Sequence, residues 1–340
     1  MDLAILETNL VTGTFWAALL SFILFLTSVV TKKQDSSKSQ ITSYLGYAGM
    51  IITFITSIAA LIVKATVTGH VPWSNFYESM VLMAALSTLL FLVIYQMYKQ
   101  DIIGVVMSPG IVILIGIASI LPRDFRGNEP LVPALASYWI KIHTTAMIVS
   151  YSVFLLATTT AIAYLVFYFL SGKGISISKI VNDKPSLNRL SLASTGPSIQ
   201  NNDVAMMDTK RIEDVSSNSP QRLSVMNDRL HFDNPHLALF DDLTYRLILL
   251  GFPILAFGII TGAMWANHAW GTYWSWDPKE TAALMSWLFY AAYLHTRVGM
   301  HVKGKKSAII AILGFAGIIF TYYGVNYLPG LHSYGFSVTN

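Results

Sequence analysis

The chain has 340 residues, 54% hydrophobic and only 12% charged, where a soluble domain carries about 25% charged residues. That balance excludes a soluble globular core, and the formal charge of +4 does not point to nucleic acid, because basic residues in a membrane protein orient its helices. With no cysteine, disulfides and thiolate metal sites are excluded, so any iron or soft-metal ligand must come from the eight histidines, from methionine or from tyrosine.

The opening "MDLAILETNL" has no basic leader and predicts no cleavable signal peptide. Apolar segments of about 20 residues, long enough to cross a hydrocarbon core of about 30 Å, then recur to the C-terminus. They predict spans at 10–31, 41–63, 77–98, 102–121, 141–170, 243–264, 281–300 and 307–327. The fold class is all-α: a polytopic integral membrane protein of about eight transmembrane helices. Pro109-Gly110 predicts a kink in the fourth span, since proline removes a backbone donor and clashes with the preceding turn.

Between the fifth and sixth spans, 171–242 is rich in Ser, Asn and Asp, with no sustained apolar period, and reads as mostly disordered. Its end, "NPHLALFDDL", reads as a short helix lying at the membrane surface. The chain divides accordingly into a five-span region 1–170, this loop, and a three-span region 243–340. With the N-terminus outside, 17 of the 22 lysines and arginines fall inside. The long loop inflates that count, but the short loops alone still favour both termini on the outer side.

Between the sixth and seventh spans lies "MWANHAWGTYWSWDPKETA", with Trp265, Trp270, Trp274 and Trp276 within twelve residues. Tryptophan and tyrosine favour membrane interfaces, so an aromatic girdle is one reading. The other is a platform for a large planar ligand: indole faces offer apolar area with little entropy to lose, and Gly271 allows close backbone approach. "D-P-K-E" before an apolar run reads as a helix start, with Asp277 as N-cap, Pro278 at N1 and Glu280 reaching back.

Three histidines stand out. His143 begins the fifth span and His332 follows the eighth, both on the outer face level with the tryptophans, 265–280. Neutral imidazoles on opposite sides of a plane suit heme iron as axial ligands. His295 lies in the seventh span, on a face with Ala291, Trp287, Leu284 and Glu280, and about 22 Å below Glu280 at 1.5 Å per residue. It cannot serve the same iron, and a polar side chain at that depth is a functional residue by default. His268, inside the platform, rivals the outer pair, and His70 reads as a loop residue or a ligand. His231 and His236 fall in the polar loop, and His301 at an inner helix end.

"WGTYWSWDPKE" resembles the signature of the WWD-domain heme-handling proteins, and specifically the CcsA (ResC-like) branch of system II cytochrome c assembly, of cyanobacterial and plastid type. "GHVPWSNFYES", "SYWIKIHTTAMIVSY", "YAAYLHTR" and "GLHSYG" resemble that branch in the same order. The resemblance implies that heme b is carried to the outer face and joined through its vinyl groups to the CxxCH thiols of apocytochrome c. That is holocytochrome c synthase activity in complex with a ResB-like (CcsB-type) membrane partner. It implies His143 and His332 as outer heme ligands, and Trp270, Trp274, Trp276 and Asp277 as the signature motif. It implies His295 as the transmembrane histidine of an inner site whose second histidine belongs to the partner. It also implies a thiol-reducing pathway and a thylakoid membrane, with a bacterial plasma membrane as the other setting. Three rivals remain: a heme-delivery factor without synthase activity; a transporter with an aromatic gate, which would need paired charges that are scarce in these spans; and a di-heme electron-transfer subunit, which would need histidine pairs facing each other from two helices where only His295 is deeply placed.

Overall fold

The computed structural model describes residues 3–32, 35–73, 75–122, 126, 137–172 and 234–332. The disordered-loop expectation for 171–242 falls mostly on 173–233, outside the described residues, as does His231. Regular structure among the described residues is helical throughout. It comprises α1 (Leu3–Thr31), α2 (Ser36–Thr68), α3 (Phe76–Tyr98), α4 (Asp101–Ile120), α5 (Tyr138–Gly172), α6 (Pro235–Trp270), α7 (Pro278–Gly299) and α8 (Lys305–Tyr322), closed by a 3-10 turn at Gly324–Tyr327.

Each predicted span corresponds to one long helix. Seven of them, all but α7, are both long and apolar enough to cross a membrane. α7 carries Lys279, Glu280, His295 and Arg297 within 22 residues, which dilutes its hydropathy; at 1.5 Å per residue it still reaches about 33 Å. The chain is a multi-pass membrane protein. Large apolar side chains face outward, such as Ile113, Ile120 and Leu20, as a lipid environment permits. Pro109 lies inside α4, and the helix runs through it.

Helix starts follow local capping chemistry. Asp35 accepts the Lys38 N–H at 3.0 Å to begin α2, and Asn75 accepts the Glu78 N–H at 2.8 Å to begin α3. The start of α6 differs from the expected break. "NPHLALFDDL" is not a separate surface helix: Asn234 caps, Pro235 sits at N1, and the helix continues unbroken for 36 residues. Its first turns are apolar enough to pack, and His236, expected in a polar loop, is buried against Phe167 and Phe240.

Within the membrane, lipid offers no hydrophobic drive between helices, so hydroxyl pairs and close packing join them. Thr14 and Thr56 link α1 to α2 at 2.9 Å, Thr160 and Thr244 link α5 to α6 at 2.8 Å, and Ser286 and Thr321 link α7 to α8 at 3.1 Å. Asp101, at the start of α4, accepts from Ser28, Ser43 and Tyr95, tying the ends of α1 to α4 together. α5 packs most extensively along α6 and also meets α3, α4 and α8. It thereby brings His143 into the C-terminal helices.

Candidate ligand site at the tryptophan end

The tryptophan segment is part helix and part loop. Trp265 and Trp270 belong to the last turns of α6, which ends at Gly271 with φ 80°, a left-handed cap that glycine adopts without steric cost. Only 271–277 is loop. It is folded back by Glu280, whose Oε2 accepts from the Ser275 N–H at 2.8 Å and the Asp277 N–H at 3.2 Å. Asp277 in turn accepts the Lys279 N–H at 3.0 Å, completing the capping box expected from "D-P-K-E".

Asp277 does more than cap. It is buried, and its Oδ2 accepts the Leu331 N–H at 2.6 Å while its Oδ1 accepts the His332 Nδ1–H at 2.8 Å. Burial alone would raise this carboxyl. The backbone bonds from Lys279 and Leu331, the hydrogen bond of His332 and, at the acid pH where both groups titrate, its charge outweigh it and hold Asp277 below the usual carboxylate range. An ionised carboxylate only accepts, so Nδ1 of His332 must carry the proton and Nε2 keeps its lone pair. Burial and the nearby Lys279 charge lower His332 to about 4, so the ring is neutral at physiological pH. Gly330 makes the approach possible, since a Cβ there would sit 2.5 Å from Asp277 Oδ2.

His143 reaches the same state by another route. In the second turn of α5, its Nδ1 lies 2.8 Å from the carbonyl oxygen of Gly258 on α6. A carbonyl can only accept, so Nδ1–H donates, and in the neutral ring the lone pair is on Nε2. Gly262 leaves room for the ring, because a Cβ there would lie 2.7 Å from Nδ1.

Trp265 joins the two histidines. It is 2% exposed, stacks on His143 at 6.2 Å and 7°, and lies 5.4 Å from His332. Trp270 meets Trp265 at 4.7 Å and His332 at 4.8 Å, both edge-on. The result is two neutral imidazoles, each with Nδ1 tethered and Nε2 available, set in a wall of indole. Among the described residues no group of three or more His, Cys, Asp or Glu could hold a bare metal ion. Two imidazole donors suit an iron whose equatorial positions are filled by a macrocycle, and indole suits the macrocycle's flat apolar faces.

Of the residues singled out from the sequence, His143, His332, Trp270 and Asp277 come together. Trp274 and Trp276 form a second edge-on pair at 5.8 Å, with Trp276 69% exposed. Trp276 has φ 59°, a conformation bulky residues rarely adopt, and it turns its indole outward just before the cap. His295 lies on an exposed stripe with Met285, Leu288 and Ala292, whereas Glu280 is buried. The expected common face of Glu280 and His295 therefore does not hold: steps of three and four leave a drift of about 60° over fifteen residues. His268 is exposed, and His70 bonds its neighbour's carbonyl, Val71 O, at 3.1 Å. At the opposite end of α7, Arg297 pairs bidentately with buried Asp241 at 2.6 and 3.0 Å, fixing the helix two residues from His295.

Sequence reasoning missed the central place of Trp265, the second role of Asp277, and the glycines that admit the rings. A helix count would have placed Trp265 on the face of α6 that carries Gly258, Thr261 and Gly262. The Asp277–His332 bond, spanning 55 residues, has no local signal.

A family profile described as Cytochrome C assembly protein matches residues 73–332. A protein named Cytochrome c biogenesis protein CcsA from the cyanobacterium Gloeothece citriformis is 37% identical over 305 residues, covering 86% of this chain and 87% of that one. Proteins of the same name from Guillardia theta (37% over 326 residues, 95% and 94% covered) and Rippkaea orientalis (34% over 357 residues, 98% and 99% covered) are similarly close.

Proposed function

Since the chain belongs to the cytochrome c assembly family, as a CcsA-type multi-pass membrane protein of c-type cytochrome maturation, we propose that it holds heme between His143 and His332 and presents it for covalent attachment to apocytochrome c. The observation that carries this reading is the pair of tethered imidazoles: each Nδ1 is committed to an oxygen acceptor, so each Nε2 is directed to a ligand.

In this reading the tryptophan end is the outer, lumenal or periplasmic face, and the membrane is the thylakoid. Heme is the substrate. When bound it supplies its own vinyl groups, across each of which a CxxCH thiol adds its S–H. The chain's residues orient and enclose. Asp277 and the Gly258 carbonyl fix the tautomers, Trp265 and Trp270 exclude water, and Trp274 and Trp276 extend apolar surface toward solvent, where the apocytochrome arrives. The chain has no cysteine of its own to compete for the vinyl groups.

His295 supports a second position, supplied with its other ligand by a ResB-like partner. Its ring stands on an exposed apolar stripe of a spanning helix, where a neighbouring protein can reach it. The test is co-expression of this chain, a ResB-like partner and an apocytochrome c, with heme attachment scored by denaturing-gel heme stain. Attachment that requires all three, and fails when the partner is left out, supports synthase activity of the complex. Attachment that proceeds without this chain refutes it, and noncovalent heme transfer alone favours the delivery factor.

A further inference from the structure

A groove of about 510 Å³ lies on the outside of the α5–α6 pair, beneath the connection that joins α2 to α3. Its lining is Val71 and Trp73 from that connection, Ile142, Thr145, Ala146 and Val149 from α5, and Ile254 and Phe257 from α6, with Lys141 at the rim. Apart from Lys141 and the Thr145 hydroxyl, which is spent on the Lys141 carbonyl at 2.7 Å, the side chains are apolar. Phe257 is 53% exposed and Val71 37%, so the groove opens toward the surroundings of the bundle.

Its depth in the membrane follows from helix geometry. Lys141 is in the first turn of α5, next to Tyr138 and Trp139, which are 71% and 36% exposed. Aromatic side chains of that kind mark the headgroup level. The lining then runs to Val149, about 12 Å deeper at 1.5 Å per residue, into the acyl region. Among the described residues no carboxylate pairs with Lys141, so its charge is available at the depth where lipid phosphates and sulfonates lie.

We propose that this groove is a binding site for an anionic membrane glycerolipid, with one acyl chain along Ile142, Ala146, Val149 and Phe257 and the charged headgroup held at Lys141. The apolar bed alone accepts any acyl chain; the lysine makes the site selective for an anionic head. Two of the lining residues, Ile142 and Phe257, are the chain neighbours of His143 and Gly258, so the lipid packs against the two helices that carry that bond. The site does not depend on what those histidines hold.

The test uses the purified full-length chain, stripped of lipid in detergent and titrated with dioleoyl phosphatidylglycerol or dioleoyl phosphatidylcholine, with bound lipid counted by native mass spectrometry. The wild type should retain phosphatidylglycerol with roughly fivefold preference, the equivalent of about 1 kcal/mol for one basic residue near an anionic surface. Lys141→Gln should bring that preference near unity while leaving total binding in place. Thr145→Trp, an exposed position, should lower binding of both lipids by filling the groove, with helical circular dichroism unchanged. Glycerol 3-phosphate, which has the charge but no acyl chain, should not compete. Equal binding of the two lipids by the wild type, an unchanged preference in Lys141→Gln, or competition by glycerol 3-phosphate would each overturn the proposal.

Discussion

The two ends of α7 present histidine in opposite ways. At the tryptophan end, His332 and His143 are enclosed, neutral and tethered, one by a carboxylate and one by a backbone carbonyl. Toward the other end, His295 is exposed on an apolar stripe, held only by a helix that Arg297 and Asp241 pin in place. In the proposed reading the tryptophan end is complete within one chain, whereas the position of His295 is half a site. On that reading a single helix links a finished ligand environment to one that takes its other ligand from a second protein.

Removing a ligand of the finished site should have the largest effect. His143→Ala or His332→Ala should cut heme attachment by more than about 100-fold, since loss of an outer tether alone costs 10–100-fold at metal sites. Membrane insertion should be preserved. Quantitative heme staining against immunoblotted chain would show this, and normal attachment in both variants would remove the basis of the pairing.

The half-site is expected to respond conditionally. His295→Ala should deplete heme at the outer site when the chain and its partner draw on internal heme, yet leave binding of externally added heme intact. Heme per complex, measured both ways, sharpens the contrast between the two ends. Full outer occupancy from internal heme would dissolve it.

Asp277 separates tethering from capping. Asn caps a helix nearly as well as Asp, but it cannot offer two ionised acceptor oxygens to Leu331 and His332. Asp277→Asn should therefore keep α7 capped and the helical content unchanged, lower the thermal transition because the Leu331 or the His332 N–H loses its acceptor, and weaken heme binding about 10- to 100-fold. Unchanged heme affinity would show that the carboxylate only caps.

The indoles should divide in the same manner. Trp274→Ala should weaken heme retention only about 2- to 12-fold, from one aromatic contact of roughly 0.5–1.5 kcal/mol. Trp265→Ala should also destabilise the protein, by about 3–5 kcal/mol for a large buried ring. Equal thermal stability of the two variants would mean that Trp265 is not the core of the site.

The smallest expected effect is on pH. His332 has a folded pKa of about 4, below the ordinary value of 6.5, so the unfolded chain takes the proton first. Its contribution is complete above about pH 6.5 and is lost as pH falls toward 4. Heme retention should be flat from pH 8 to 6.5 in the wild type, and a retention curve that already falls between 8 and 7 would contradict the neutral, buried assignment.

Much of the fold was legible because lipid imposes a simple rule: every span must be a long apolar helix. α7 shows the limit of that rule, since the residues that make it chemically interesting lower its hydropathy. The start of α6 was hidden because Asn234, Pro235 and His236 look like the polar loop before them, although they are a cap and a first turn. At the site, "D-P-K-E" gave the capping box from local chemistry. That His143 and His332 come together was legible only through their common end of the bundle and the family resemblance. Trp265 between them and the Asp277 tether arise from packing between segments far apart in sequence, which no local pattern encodes.

The most direct test of the central claim is the axial ligation of externally added heme in the purified chain without its partner, in a His295→Ala background, read by low-temperature electron paramagnetic resonance of the ferric form. A bis-imidazole site predicts a low-spin signal in that background that is lost, or replaced by a high-spin signal, when either His143→Ala or His332→Ala is added. A low-spin signal persisting unchanged with each of the two added would contradict the account.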